Sequence, residues 1–171
     1  MNKKAMEKAI EDLLIAIGEN PQREGLIDTP KRVVKYWSEL LEGTQYSNDE
    51  IAEMFNKTFT SKDKQLVEIK NIKCFSHCEH HMALMYDMTI DIKYIPNGKV
   101  LGLSKFARIC EMVTKRLQIQ ERIGSDIWYI LNKILDTDKI EIHIKGKHSC
   151  MTARGIKNTE SYTETIYGSI S

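Results

Sequence analysis

Apolar residues recur every three or four positions in three stretches of the first third of the chain, which is the period of a helix with one buried face. These stretches are residues 2–17, 29–43 and 47–55. Pro30 follows Thr29, and proline is favoured at the first helical position, so Thr29 is predicted to cap the second helix. Ser47 and Glu50 have the spacing of a capping box before the third helix. The sequence therefore predicts an N-terminal helical region over residues 1–60.

After residue 60 the period of the apolar residues changes to two, which is typical of half-buried strands. The predicted strands are residues 66–74, 86–94, 140–145 and 162–167. In the second of these strands Tyr86, Met88 and Ile90 are predicted to share the buried face. Met85 is predicted to lie on the opposite face.

Two helical stretches separate the second predicted strand from the third. Ser104 is predicted to cap the first helix, and the second begins near Gln120. Strand pairs on either side of two helices indicate an α+β fold, in which the helices cover one face of an antiparallel four-stranded sheet. We therefore predict a sheet-containing domain over residues 61–171, preceded by the helical region.

The composition sets limits on the partners of the chain. Its 42% hydrophobic and 29% charged residues are typical of a globular protein. A net charge of +1 produces no overall field that would recruit nucleic acid, so any anion site must be local. No apolar run is long enough to span a membrane, and the basic N-terminus is not followed by the apolar core of a signal peptide. Four cysteines without an export signal favour a reducing cytoplasm and metal-bound thiolates over disulfides.

Two short segments, residues 78–81 and 148–150, hold two of the four cysteines and three of the five histidines. Thiolates and imidazoles are the preferred ligands of zinc. Cys78 and His81 are three residues apart, so both can reach one ion from a tight turn, whereas Cys150 must approach from elsewhere in the fold. The pattern therefore predicts a metal site.

The residues alone leave two kinds of metal site open. Three protein ligands would leave a position for water, as in catalytic zinc sites. A fourth ligand, either His80 or His148, would close the site and make it structural. In the open site, these two histidines are instead free to move protons beside the metal.

Six stretches of the chain resemble GTP cyclohydrolase I, in the order in which that family carries them. They are residues 28–33, 78–81, 94–99, 102–108, 117–122 and 148–155. The resemblance runs from about residue 5 nearly to the end of the chain. It implies the tunnelling fold, with ββααββ order, in a decamer of two stacked pentamers whose active sites lie between subunits.

The resemblance also implies roles for individual residues. Cys78, His81 and Cys150 match the ligands of one Zn²⁺ per subunit, which corresponds to the open site. His148 matches the principal proton donor to the purine ring, and His80 matches a second histidine that assists proton movement. The implied reaction opens the imidazole ring of GTP, releases formate and yields 7,8-dihydroneopterin triphosphate, the first step of tetrahydrofolate and pterin biosynthesis.

Further matches imply how GTP is held. Gln120 and Glu121 match the residues that hold the guanine edge, and a carboxylate suits that role because guanine presents adjacent N–H donors. The positions that match phosphate-binding residues, with one serine near the phosphates and ribose, are Ser104, Lys105, Arg108, Arg154, Arg32 and Lys35.

Two departures and two competing hypotheses accompany the resemblance. Residues 82–87 lack the proline and glycine that the family usually carries after the zinc turn, and Ile123-Gly124 stands where the family commonly has Leu-Thr. A nitrile reductase of queuosine precursor synthesis would share the tunnelling fold but use a cysteine nucleophile with NADPH. A structural zinc module would bind its metal through four protein ligands.

Overall fold

A computed structural model describes all residues 1–171. The helices are α1 (Lys3–Ala16), α2 (Thr29–Leu40), α3 (Asn48–Phe55), α4 (Leu103–Thr114), α5 (Gln120–Leu135) and α6 (Ser149–Thr152). The strands are β1 (Thr58–Thr60), β2 (Val67–Cys78), β3 (Leu84–Tyr94), β4 (Lys99–Leu101), β5 (Leu117–Gln118), β6 (Ile140–His148) and β7 (Thr163–Ser169). None of the helices combines the length and the hydropathy needed to cross a membrane.

The main sheet has the strand order β5-β2-β3-β6-β7. Neighbours among β2, β3, β6 and β7 pair antiparallel, which confirms the predicted α+β architecture and its four-stranded antiparallel sheet. β5 adds a short parallel edge beside β2, and β1 pairs with β4 in a separate two-stranded sheet. The sequence did not predict these three strands, because strands of two or three residues are too short to show a period.

The core lies between one face of the main sheet and two helices. α4 packs against β2, and α5 packs against β6 and β7. Ile140, Ile142 and Ile144 alternate along β6 and are fully buried, as their spacing predicts. Burial of each such isoleucine contributes roughly 1.5–3 kcal/mol relative to exposure.

The strict alternation predicted for β3 is wrong at its first residues. Met85 and Met88 are buried in the core, whereas Tyr86 is only partly buried. Asp87 has a φ of +50°, and the pairing with β6 shifts register between Tyr86 and Thr89. A bulge inserts one extra residue into a strand, so the alternation of side chains between the two faces of the sheet shifts by one residue across it. The Tyr86 hydroxyl consequently donates to Thr152 Oγ1 at 3.0 Å, beside α6 rather than in the core.

Two helix starts also differ from the prediction. α4 begins at Leu103 with Gly102 in the cap position, so Ser104 lies inside the first turn and does not cap it. α2 begins at Thr29 itself, one residue after the cap position. The capping box of α3 is confirmed: the main-chain N–H of Glu50 donates to Ser47 Oγ at 3.2 Å, and the Ser47 N–H donates to the Glu50 carboxylate at 2.7 Å.

A largely buried guanidinium joins the N-terminal region to the helices of the core. Arg116 donates to the main-chain oxygens of Gly43 (3.1 Å) and Tyr46 (3.0 Å) and to Asn48 Oδ1 (2.8 Å). It also pairs with the carboxylate of Asp126 on α5 at 3.1 Å. Burial lowers the pKa of Arg116, and the Asp126 carboxylate opposes that shift.

The same junction is packed too tightly for a side chain at Gly43. A Cβ there would overlap the main-chain oxygen of Met112 and lie 2.9 Å from that of Lys115. We expect Gly43→Ala to lower the free energy of unfolding by about 3 kcal/mol, the upper range for overpacking, because backbone atoms cannot move aside. Denaturant unfolding measures this. Gly25→Ala is the control, since only the flexible end of the Arg23 side chain lies near it, and equal stability of the two variants would contradict the prediction.

Candidate active site

The two segments rich in cysteine and histidine meet at one end of the main sheet. His77 pairs with Leu84 between β2 and β3, and Met85 pairs with His148 between β3 and β6. The segments therefore flank the beginning of β3 on its two sides. His77 and Cys78 are the last residues of β2 and His148 is the last of β6, so the sequence interpretation ended both strands too early.

A tight hairpin connects β2 to β3. The main-chain N–H of Cys78 donates to the oxygen of Ala83 at 2.8 Å, which closes the loop formed by residues 78–83. Met82 in this loop has a φ of +52°, a left-handed conformation that glycine adopts more easily. The loop thus completes its turn without the proline and glycine expected from the resemblance.

The three predicted metal ligands lie at this end of the sheet but are not gathered around a common point. The Cys78 thiol is buried, with its Sγ 3.5 Å from Nδ1 of His80. His81 is exposed, and its Nε2 accepts from Arg154 at 3.3 Å. Cys150 is partly buried on α6. No three His, Cys, Asp or Glu side chains of the chain converge closely enough to hold an ion.

The chemistry of the donor set nevertheless fits a zinc ion. Cys78, His81 and Cys150 supply two thiols and an imidazole, the groups that zinc prefers. They come from the hairpin and from the short helix that follows β6, which border the same strand end. The sequence-predicted ligands are therefore neighbours in the fold.

His148 is held by two side chains. Its Nε2 lies 2.9 Å from Gln120 Oε1 and 3.0 Å from Thr163 Oγ1. The Gln120 amide nitrogen donates to the main-chain oxygens of Ile144 (3.1 Å) and Thr163 (3.2 Å), so its Oε1 is left to accept. His148 Nε2 must then carry the proton, which leaves Nδ1 as the unprotonated nitrogen of the neutral ring. Burial lowers the pKa of the His148 imidazole, and the Glu121 carboxylate opposes that shift.

Gln120 and Glu121, both predicted to hold a base, have different surroundings. Gln120 is 3% exposed, and both ends of its amide have partners within the chain. Glu121 is exposed in the first turn of α5 and forms no ion pair. Of the two side chains, only Glu121 is free to meet a ligand.

Sequence reasoning missed Thr163, which contacts both His148 and Gln120. Its hydroxyl lies 2.6 Å from Gln120 Oε1. A strand at this place was predicted, but the contact depends on the pairing of Thr163 with Gly146 across β6 and β7. No local pattern in the sequence carries that register.

One predicted group of phosphate-binding residues lies in the part of α4 that begins beside the far end of β3. Ser104, Lys105 and Arg108 are in the first half of α4. Phe106, among them, packs its ring 5.5 Å from the ring of Tyr94 at the far end of β3. Tyr94 is nine residues from Met85, the partner of His148, and nine residues of strand span about 30 Å.

A second predicted group lies on α2, which packs against the last residues of β2. The Trp37 ring lies 4.8 Å from the ring of His77, and the Tyr36 hydroxyl lies 3.4 Å from His77 Nε2. His77, whose role the sequence left open, is thus buried under aromatic rings, and burial lowers its pKa. Arg32 and Lys35 are exposed on the same helix.

Thiols and imidazoles beside a histidine held by a buried amide define the class of the chain as an α+β enzyme with acid–base groups. A family model described as GTP cyclohydrolase I matches residues 6–170. The chain therefore belongs to the GTP cyclohydrolase I family, and its activity is that of a GTP cyclohydrolase. This confirms the family and the fold that the resemblance implied.

Individual relatives agree with the family model. The GTP cyclohydrolase 1 of Clostridium acetobutylicum is 54% identical over 168 aligned positions, covering 95% of this chain and 86% of that protein. The GTP cyclohydrolase 1 of Ruminiclostridium cellulolyticum is 57% identical over 171 positions, covering 96% and 88%. Among solved structures, the archaeosine synthase QueF-Like in its apo form aligns over 65% of this chain and 97% of its own, at 14% identity and a TM-score of 0.46.

The contacts of His148 predict its neutral tautomer. We expect the proton on Nε2, because Gln120 Oε1 can only accept. Long-range ¹H–¹⁵N NMR spectra distinguish the two tautomers. The double variant Gln120→Leu, Thr163→Val should shift the ring towards a mixture, whereas Thr163→Ser should leave it unchanged. A wild-type ring with its proton on Nδ1 would contradict the assignment.

Proposed function

We propose that this chain converts GTP to 7,8-dihydroneopterin triphosphate and formate, with one Zn²⁺ per subunit bound by Cys78, His81 and Cys150. The observation that carries the proposal is that the segments bearing these three donors border the same end of the sheet as the held His148. When bound, the metal would lower the pKa of water to near 7 and so supply a nucleophile for C8 of the purine.

His148 is proposed as the group that delivers protons to the purine ring. Gln120 and Thr163 hold its Nε2–H, so Nδ1 is the nitrogen at which a proton enters and leaves. The Gln120 oxygen can accept from Nε2–H in both the neutral and the protonated ring, so this contact persists while a proton enters and leaves Nδ1. His80, exposed beside Cys78, is proposed to assist this proton movement.

Glu121 is proposed to bind the guanine edge of GTP. Its carboxylate is exposed one residue after Gln120, which contacts His148, so base and proton donor would meet at the start of α5. A carboxylate accepts from the two adjacent N–H groups that guanine presents. The role of Gln120 would then be to hold His148 rather than to reach the base with its amide.

The triphosphate is proposed to lie between subunits. Arg32, Lys35 and Arg154 belong to the subunit that supplies His148, whereas Lys105 and Arg108 are proposed to come from a neighbour. The first turn of α4, which carries Lys105, lies beside the end of β3 that is remote from the Met85–His148 pair, and this supports the division. We expect the neighbour, whose Ser104 would approach the ribose and phosphates, to belong to a decamer of two stacked pentamers.

Two experiments test the proposed chemistry: removal of the metal and replacement of the proton donor His148. Chelation should abolish formation of the pterin, followed by fluorescence after oxidation, and added Zn²⁺ should restore it. His148→Ala should lower kcat about 10³-fold, within the range for a lost acid–base group, while zinc content stays at one per chain. Loss of zinc in that variant would point to a fourth ligand, and no pterin from the zinc-loaded wild type would contradict the proposed reaction.

The intersubunit site predicts complementation between two inactive variants. His148→Ala and the double variant Lys105→Ala, Arg108→Ala should each be inactive alone. Coexpressed in equal amounts, they should regain about a quarter of wild-type activity, because random assembly joins two intact halves at one interface in four. Coexpressed His148→Ala and Glu121→Ala form the control and should stay inactive if both residues serve one site from one chain. Activity in the control, or none in the first pair, would contradict the proposed division.

A further inference from the structure

Glu79 lies between the proposed ligands Cys78 and His81, and neither the sequence nor the proposed reaction gives it a role. Its side chain is exposed, yet the residue is attached both to α5 and to the short strand β5 that precedes it. The carboxylate forms an ion pair with Arg122, and the main-chain N–H of Glu79 donates to the oxygen of Gln118 at 3.0 Å. The ligand loop is thus held immediately after β2 ends.

Arg122 is fixed before it meets Glu79. Its Nε donates to Gln118 Oε1 at 2.7 Å, and its Nη2 also donates to the main-chain oxygen of Leu117 at 2.9 Å. An isolated exposed ion pair contributes little, because two flexible side chains must be ordered to form it. Here only the Glu79 side chain remains to be ordered, so the pair retains more of its attraction.

The support for Arg122 continues into the interior. Gln118 is 1% exposed, and its amide nitrogen donates to Asp126 Oδ2 at 3.0 Å and to the oxygen of Val113 at 3.2 Å. Asp126 in turn pairs with Arg116 at 3.1 Å. Glu79 is therefore the outer end of a continuous polar network, in which each member restricts the next.

The rest of the ligand loop has fewer constraints. Its closing hydrogen bond joins Cys78 to Ala83, and His81 contacts Arg154, which is itself exposed. Cys78 is buried at the end of β2, so the position of His81 relative to Cys78 depends on how the intervening residues are held. Glu79 is the residue between them that is bound to a rigid element.

We propose that Glu79 is a positioning residue for the metal: through Arg122 it holds the 78–81 loop so that His81 is presented to the ion already held by Cys78. The inference rests on the proposed function, because it assumes that these residues bind zinc. Partners that orient metal ligands change metal affinity by about 10–100-fold when removed. The Glu79 contact acts on the backbone of the loop and is exposed, so we expect the lower end of that range.

The experiment measures zinc affinity by competition with a chromophoric chelator, using the full chain. Glu79→Gln keeps the size of the side chain and removes its charge, and it should bind Zn²⁺ about 10-fold more weakly. The midpoint of thermal unfolding of the metal-free protein should stay unchanged, since the pair lies at the surface. Glu7→Gln is the matched control, because Glu7 is a partly exposed glutamate on α1 that forms no ion pair, and its zinc affinity should equal that of the wild type.

A double-mutant cycle tests the path through Arg122. Arg122→Gln should weaken zinc binding about as much as Glu79→Gln, and the two changes together should weaken it no further, because they remove one contact. Cobalt(II) substituted for zinc gives a second readout: its visible absorption spectrum should change in Glu79→Gln and stay unchanged in Glu7→Gln. These results would support the positioning role independently of turnover.

The outcomes separate the inference from the proposed function. A wild-type chain that binds zinc and a Glu79→Gln variant that binds it equally well would overturn the inference alone. Additive losses in the double variant would overturn the path through Arg122. A wild-type chain that binds no zinc would overturn the proposed function itself, and the inference with it.

Discussion

The candidate site depends on the first turn of α5 lying against the end of the main sheet. Gln120 in this turn contacts His148 at the end of β6 and Thr163 on β7. Arg122, two residues later, contacts Glu79 in the hairpin after β2. Three segments that are distant in the sequence therefore share one rigid support, and a shift of this turn would move all of them together. A helix serves this purpose because its side chains have fixed relative positions over a single turn.

The buried Arg116 fixes the position of the first turn of α5. Removing a guanidinium from water is costly unless its N–H groups find acceptors. Here they donate to the main-chain oxygens of Gly43 and Tyr46, to the side-chain oxygen of Asn48 and to the carboxylate of Asp126 on α5. These bonds require the N-terminal segment to be in place beside α5. We propose that the helical region 1–60 and the catalytic domain 61–171, distinguished by their sequence patterns, are tied together through Arg116.

The sequence predicted the features that depend on local periodicity. Ile140, Ile142 and Ile144 alternate, and their strand is present with those side chains buried. Features that depend on one extra residue or on distant pairing were not predictable. The bulge at Asp87 places Met85 in the core, although the alternation of residues along β3 favours Tyr86. An inserted residue moves the side chains before it to the opposite face of the sheet without changing the composition of the strand.

The candidate site was predicted through motifs more than through geometry. The ligand set and the proton donor follow from a resemblance that spans nearly the whole chain. The contacts of Thr163 follow from the register of β6 with β7, and Thr163 is ordinary in its local sequence. The contacts of Arg122 follow from the start of α5, and although Arg122 ends one of the matching stretches, that match gave it no role. A residue that acts by holding another carries no signature of its own, since many polar side chains could serve at the same place if the distances allowed it.

The proposed division of the site between chains also has a physical reason. Proton transfer requires heavy atoms within about 3 Å of each other, so its donor gains most from being held by buried bonds within one chain, as His148 is. The attraction between a cation and a phosphate falls only inversely with distance, so it tolerates small displacements. Lys105 and Arg108 can therefore act from a neighbouring subunit, where the interface sets their position less strictly. Under the proposed division, the proton chemistry stays within a single subunit and part of the charge neutralisation comes from assembly.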